Sequence, residues 1–254
     1  MIGTNQVEYD GSAGTSFSTP LCIFVDTVGR IYIADDGNSL IHRMDDMNGT
    51  NQVEYNGSAG TGFAGLQSIF VDPADRIYVA DNNTGLIYRM DDMNGTNQVE
   101  YDGDVGTSFV YPQGIFVDAT NRIYVADQNG LIYRMDDMIG TNQVEYDGSA
   151  GTMFTFPIDI HVDTAGRIYV ADEGNGLIYR MDDMSGTNQV EYDGDAGTQF
   201  TSCKSIYMDT AGKIYVADEN GLMYQMDDMN GTNQIEYNGS AGTLFGDVYS
   251  IFVQ

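Results

Sequence analysis

The chain of 254 residues has no tryptophan, two cysteines, four prolines, two histidines and only ten basic side chains against 38 acidic ones, for a formal charge of −28. Each scarcity closes off a class of protein. Cys22 and Cys203 stand at different points of different repeats, so they make neither a disulfide framework nor a zinc pattern and read as small semi-buried thiols. So few Lys and Arg cannot release the counterions that binding to nucleic acid or anionic lipid requires. No stretch approaches the roughly 20 apolar residues of a bilayer span, and the first residues lack the basic and apolar regions of an export signal. The sequence therefore reads as soluble, with no compartment assigned. Four prolines beside 31 glycines fall below low-complexity composition, and 42% hydrophobic residues rule out a disordered acidic tail.

What is present is a repeat. Gly-Thr-Asn-Gln begins at Gly3, Gly49, Gly95, Gly140, Gly186 and Gly231, in steps of 46, 46, 45, 46 and 45 residues. Each unit reads approximately GTNQVEYDGSAGT, a variable stretch, IFVDTAGRIYVAD, a turn, and GLIYRMDDM. The two short units each lose one residue in the same turn, at Asp127–Gly130 and Asp218–Gly221, where an exposed hairpin loop tolerates deletion.

Four strand candidates fall in each unit; in the third they are 114–117, 122–126, 131–135 and 143–146. Ile115-Phe116-Val117 and Ile123-Tyr124-Val125 are apolar at successive positions, which predicts strands covered on both faces. Gln143-Val144-Glu145-Tyr146 alternates, which predicts an outer strand with one wet face. Four antiparallel strands in a period near 45 residues predict an all-β propeller blade.

The run Pro112 to Asp118, then Arg122-Ile123-Tyr124-Val125-Ala126-Asp127, then Asn129 to Met135, resembles an NHL repeat, the blade unit of NHL β-propellers. The resemblance covers essentially the whole chain, 1–254, as one propeller domain of five complete repeats and a split or partial sixth. It departs from the family where Gly or Ser and Leu replace the His and Arg that commonly follow the turn Asn. NHL propellers usually have six blades, closed by an outer strand from one terminus joining inner strands from the other.

Counted in order, this chain starts on an outer strand and stops after a lone innermost strand, Ser250 to Val253. That makes 22 strands, with the second and third of the sixth unit absent. Three closures follow: five blades with surplus ends, a ring with an incomplete sixth sector, or completion by another chain through unpaired terminal strands.

Nine of the ten basic residues occupy two repeat positions: Arg30, Arg76, Arg122, Arg167 and Lys213, then Arg43, Arg89, Arg134 and Arg180. They read as scaffold partners of neighbouring acids. Lys204 alone stands outside the pattern. The aspartates closing the first strand (Asp26, Asp72, Asp118, Asp163, Asp209) and the second (Asp35, Asp81, Asp127, Asp172, Asp218) read as turn caps. The oxygen-rich Asp45 to Asn51 loop and its copies offer weak Ca²⁺ binding only if the backbone curls round the ion.

Of the histidines, His42 replaces a third-strand tyrosine and reads as packing. His161 replaces the innermost aromatic, with Asp159 two residues earlier on the same strand face. The resemblance extends to metal-dependent propeller lactonases and lyases, which place His, Glu or Asp ligands from several blades round the tunnel. One histidine does not make such a centre, so no catalytic residue and no cofactor is assigned.

The segments Ser16–Cys22, Gly62–Ser68, Ser108–Gly114, Met153–Asp159, Gln199–Ser205 and Leu244–Ser250 vary while the strands around them hardly do. They should line one rim of the axis, with Asp159, His161, Lys204, Gln113 and Gln67 as candidate binding residues for a protein or small ligand. The sequence thus predicts a non-enzymatic interaction scaffold. Two alternatives stand beside it: a designed or generated repeat protein whose one property is folding, and a metal-dependent propeller hydrolase or lyase using Asp159 and His161.

Overall fold

The computed structural model describes residues 7–239 and 244–253. Five four-stranded antiparallel sheets stand round an axis as the blades of a propeller, and each sheet keeps its strands in chain order. In blade 3 the strands are Pro112–Val117, Ile123–Asp127, Leu131–Met135 and Val144–Tyr146. The innermost begins two residues before its expected start.

Burial follows the polarity pattern. All five positions of every second strand are buried, since both faces meet a neighbouring blade. In the outer strand Val144-Glu145-Tyr146 only the tyrosine is buried. Between blades 1 and 2, Tyr32, Ala34 and Ile41 of one pack on Ile69, Val79 and Tyr88 of the next. Equivalent clusters join blades 2 to 3, 3 to 4 and 4 to 5.

The motif GTNQVEYDGSAGT is an outer clamp between units. Tyr55 donates to Gln98 Oε1 at 2.7 Å and accepts from the Ala59 amide; Gln98 Nε2 donates to the Gly57 carbonyl. Glu100 accepts from the Thr61 amide. Gly95 is required at its place, because its φ is +72° and a Cβ there would run into the Tyr55 hydroxyl.

The five blades stand with a sixth innermost segment beside them. Six innermost segments surround the axis, and their aromatic residues form a circuit: Phe24, Phe70, Phe116, His161, Tyr207 and Phe252, with neighbouring ring centroids 4.7–5.1 Å apart. Phe252, in the sixth sector, completes the innermost aromatic layer between Tyr207 and Phe24.

The expected count of 22 strands is corrected to 20 among the described residues. Among the described residues Ser250–Val253 joins no ladder. The chain was expected to start on an outer strand; residues 1–6 lie outside the described residues, and 7–9 form no strand.

Candidate functional site

Each innermost strand carries a β-bulge near its start, between Pro20 and Cys22, Leu66 and Ser68, Pro112 and Gly114, Pro157 and Asp159, and Cys203 and Ser205. The extra residue is left out of the ladder, so two successive side chains face the axis instead of one. The bulge residues are Leu21, Gln67, Gln113, Ile158 and Lys204, and Tyr249 holds the matching place in the sixth sector. All six line one mouth of the channel, a cavity of about 120 Å³.

One layer deeper lie Cys22, Ser68, Asp159, Ser205 and Ser250, with Gly114 at the equivalent register position of blade 3. These form a ring of bonds between blades. Ile115 N–H donates to Ser68 Oγ at 3.4 Å, Ile206 N–H to Asp159 Oδ2 at 2.9 Å, Ile251 N–H to Ser205 Oγ at 3.4 Å and Ile23 N–H to Ser250 Oγ at 3.3 Å. Gly114 has no side chain to offer blade 4, and the Ile160 amide turns to Asp159 Oδ1 at 2.9 Å instead. Asp159 thus replaces an acceptor missing from blade 3 while serving blade 5. Below comes the aromatic circuit containing His161.

Four of the five candidate residues (Gln67, Gln113, Asp159 and Lys204) are brought together at this mouth. His161 faces the same axis but sits in the aromatic layer, between Phe116 and Tyr207. Its burial pushes the imidazole pKa down to about 4, which leaves it neutral near pH 7.

Glu173 is the site residue that sequence reading missed. Lys204 Nζ lies 2.6 Å from Glu173 Oε1 and 3.0 Å from Glu219 Oε2, and 5.7 Å from the Tyr249 ring centroid. Burial works against the ammonium, yet its bonds to the two glutamates outweigh that and hold its pKa above the usual lysine value. Both glutamates occupy the second-strand turn, at a position filled by Asp36, Asn82 and Gln128 in the other blades. A glutamate at that position in the blade of Lys204 and another in the blade before it are the signal that would have found them.

Asp159 opens on the cavity over part of its surface but is surrounded by protein. Burial pushes its pKa up to about 6, against the lowering effect of the amides of Ile206 and Ile160 and the Ser205 hydroxyl. The folded state therefore prefers the protonated acid. That preference contributes fully below the ordinary value of 3.8 and is lost as the pH rises through about 6. Two such pKa intervals amount to roughly 3 kcal/mol. Urea unfolding of wild type and Asp159→Ser from pH 3.5 to 7.5 should show wild type losing about that much relative to the variant. Parallel curves across this window would mean that Asp159 ionises normally.

The first-strand aspartates cap turns as expected: Asp72 accepts from the amides of Ala74 and Arg76 and pairs with Arg76 Nε at 2.6 Å. Arg30, Arg122 and Arg167 pair likewise. Lys213 departs from the expected scheme, its Nζ lying 2.7 Å from Asp227 instead of on Asp209. In the second set of basic residues, Arg89 and Arg180 approach Asp91 and Asp182 at 4.0 and 3.4 Å, while the Nε of all four is buried without an acceptor. That position is only partly a pairing element.

The second-strand aspartates do more than cap. Asp172 is fully buried and accepts from the amides of Thr155 and Phe156, fastening the variable connection to the strand, and from Asn175. His42 is fully buried, with Nδ1 3.3 Å from Gln52 Nε2 and Nε2 3.3 Å from Asp35 Oδ2, at an angle outside hydrogen-bond geometry.

The Asp-Asp-Met-Asn-Gly-Thr-Asn loop is closed by its own donors. Asp46 accepts from the amides of Asn48 and Thr50 and the Thr50 hydroxyl, and Asp45 from Asn51 Nδ2 at 2.7 Å. Among the described residues no group of three His, Cys, Asp or Glu is placed to hold a metal ion, Asp159 and His161 included, and no helix is long and apolar enough to cross a membrane.

Family models and curated proteins give no match to this sequence. Solved structures give the fold. The chain is similar to a streptogramin B lyase at 18% identity and a TM-score of 0.64, covering 87% of this chain and 69% of that one. It is similar to virginiamycin B lyase from Staphylococcus aureus at 16% identity and 0.62, over 86% and 69%. A third similarity is to a chain of a nidogen/laminin complex, at 16% identity and 0.69, over 89% and 83%. The expectation of a chain without enzymatic activity is corrected by these lyases: it drew on the lack of a multi-ligand histidine centre, and the same propeller architecture carries catalysis in them. The chain has a β-propeller fold, one that serves both for binding and for lyase chemistry in the proteins it is similar to.

Proposed function

We propose that the chain binds a small organic cation, an ammonium or guanidinium group on a short stem, at the channel mouth formed by Gln67, Gln113, Asp159, Glu173 and Lys204. One observation carries this reading. The residues by which the repeats differ at this mouth carry a charge whose sum is negative: the Lys204 ammonium is outnumbered by Glu173 and Glu219 even before Asp159 is counted. The two glutamine amides supply neutral acceptors, and about 120 Å³ suits a group of a few heavy atoms. The units are taken as NHL-type repeats of one domain, on the strength of the motif order described above.

Butylammonium and butanoate distinguish the sign of the ligand in thermal-shift and NMR titrations at 0.15 M salt. Butylammonium should bind saturably and lose at least fivefold in affinity in Glu173→Gln. Stronger binding of butanoate, or an unchanged affinity in the variant, would defeat the reading.

A second reading, lyase chemistry without a bound metal, is favoured by Asp159 itself. A carboxyl with a pKa of about 6 at a cavity wall is suited to take and return a proton near neutral pH. Carbon-detected NMR titration of that carboxyl tests it: a midpoint below 4.5 would remove the acid–base group on which this reading depends.

A further inference from the structure

The aromatic circuit divides the channel, and the end opposite the candidate mouth is a wider, mainly apolar cup. Its volume is about 440 Å³, within the range of small-molecule sites. The floor is the aromatic layer, the wall includes Val71, Val162 and Met208, and the rim carries Asp26, Asp72, Asp163 and Asp209.

The rim carboxylates are not equivalent. Those of blades 1, 2 and 4 each hold the guanidinium of their own unit, Arg30, Arg76 or Arg167, as close ion pairs. In blade 5 a lysine stands in that place. Lys213 has no Nε–H to turn back on Asp209 as the arginines do, and its Nζ lies on Asp227. Asp209 then accepts only from the amides of Ala211 and Lys213 and from the Tyr215 hydroxyl at 3.1 Å, with no cationic partner among the described residues. One side of an otherwise ion-paired, apolar cup thus carries an uncompensated negative charge. The aromatic floor adds ring faces, which attract cations, and His161 within it is neutral near pH 7.

We propose that this cup is a second binding site, for an amphipathic organic cation whose apolar body rests on the aromatic floor and whose quaternary or tertiary ammonium group lies toward Asp209. The inference rests on residues separate from the amine site at the other mouth and stands or falls apart from it.

The test uses the full chain and benzyltrimethylammonium at 0.3 M NaCl, followed by calorimetry and by NMR of labelled phenylalanine and tyrosine. Saturable one-to-one binding is expected, with shifts at Phe24, Phe116 and Tyr207. Asp209→Asn should weaken it about tenfold. Lys213→Arg, which restores the residue found in the other four blades, should weaken it about fivefold by giving Asp209 a guanidinium partner, with folding intact. Glu173→Gln at the far mouth should leave it unchanged. No saturation by 10 mM, equal affinity in wild type and Lys213→Arg, or shifts confined to residues of the opposite mouth would each overturn the proposal.

Discussion

Replacing Asp172 by alanine should lower the unfolding free energy by about 3–5 kcal/mol, as measured by urea denaturation, and should release the 152–156 connection. The side chain is fully buried and takes the amides of Thr155, Phe156 and Asn175 as well as the Asn175 side chain. Hydrogen bonds to a charged acceptor contribute about 1.5–3 kcal/mol each, and buried donors left unpaired add their desolvation cost. Water reaching the space would recover part of that loss, which keeps the figure below the simple sum. Asp172→Asn keeps one acceptor oxygen and should cost about half as much. Hydrogen exchange localises the effect: the amides of Thr155 and Phe156 should lose protection first. A cost under 1 kcal/mol with those amides still protected would show that the connection is held by its packing alone.

The second large effect is a coupling. Gly114→Ser should cost about 2–3 kcal/mol, because a Cβ there would come within 2.7 Å of Asp159 Cα and 2.9 Å of the Ile158 carbonyl, both backbone atoms. Asp159→Ser alone leaves the Ile160 amide without its acceptor, at about 1–3 kcal/mol. The double variant restores a hydroxyl at both positions, as at Ser68, Ser205 and Ser250. Its serine at position 114 can then accept the Ile160 amide, as Ser68 accepts that of Ile115. The pair should therefore cost less than the two single changes together by 1–2 kcal/mol. Strict additivity at pH 5, where Asp159 is largely protonated, would mean that the glycine and the aspartate do not compensate one another.

Both effects bear on function, because the groups that stabilise the mouth also shape it. Asp172 fixes the loop leading into Ile158 and Asp159, and Asp159 is at once a strut between blades and the carboxyl facing the cavity. A substitution there changes stability and binding together. Glu173→Gln is the cleaner probe of binding because Glu173 is partly exposed and its bond across blades is a side-chain pair with Lys204.

Much of the architecture was legible in the amino-acid order. Inner strands apolar at every position, such as Ile123-Tyr124-Val125, and an outer strand alternating as Val144-Glu145-Tyr146, are local signatures of how many faces a strand must hide. The role of Asp72 as a turn cap was readable for the same reason: its partners lie two and four residues away. The innermost strand was read two residues short because a bulge leaves no compositional mark. That same bulge carries Lys204 and Gln113 to the mouth. Glu173 lies 31 residues from Lys204, and only the repeat position that it shares with Glu219 marks it in the sequence.

Repetition by itself determined the blade, its strand order, its caps and the clamp between units, since these depend on contacts inside one period or one period away. Only the tertiary structure decided how the ring closes through Phe252, why Gly114 and Asp159 belong together, and that one lysine-for-arginine exchange leaves Asp209 unmatched on a cup rim. The physical reason is that distance to the axis is a property of the closed ring. Residues 45 or more positions apart become neighbours there, and a charge is balanced or unbalanced by side chains that its own segment never meets.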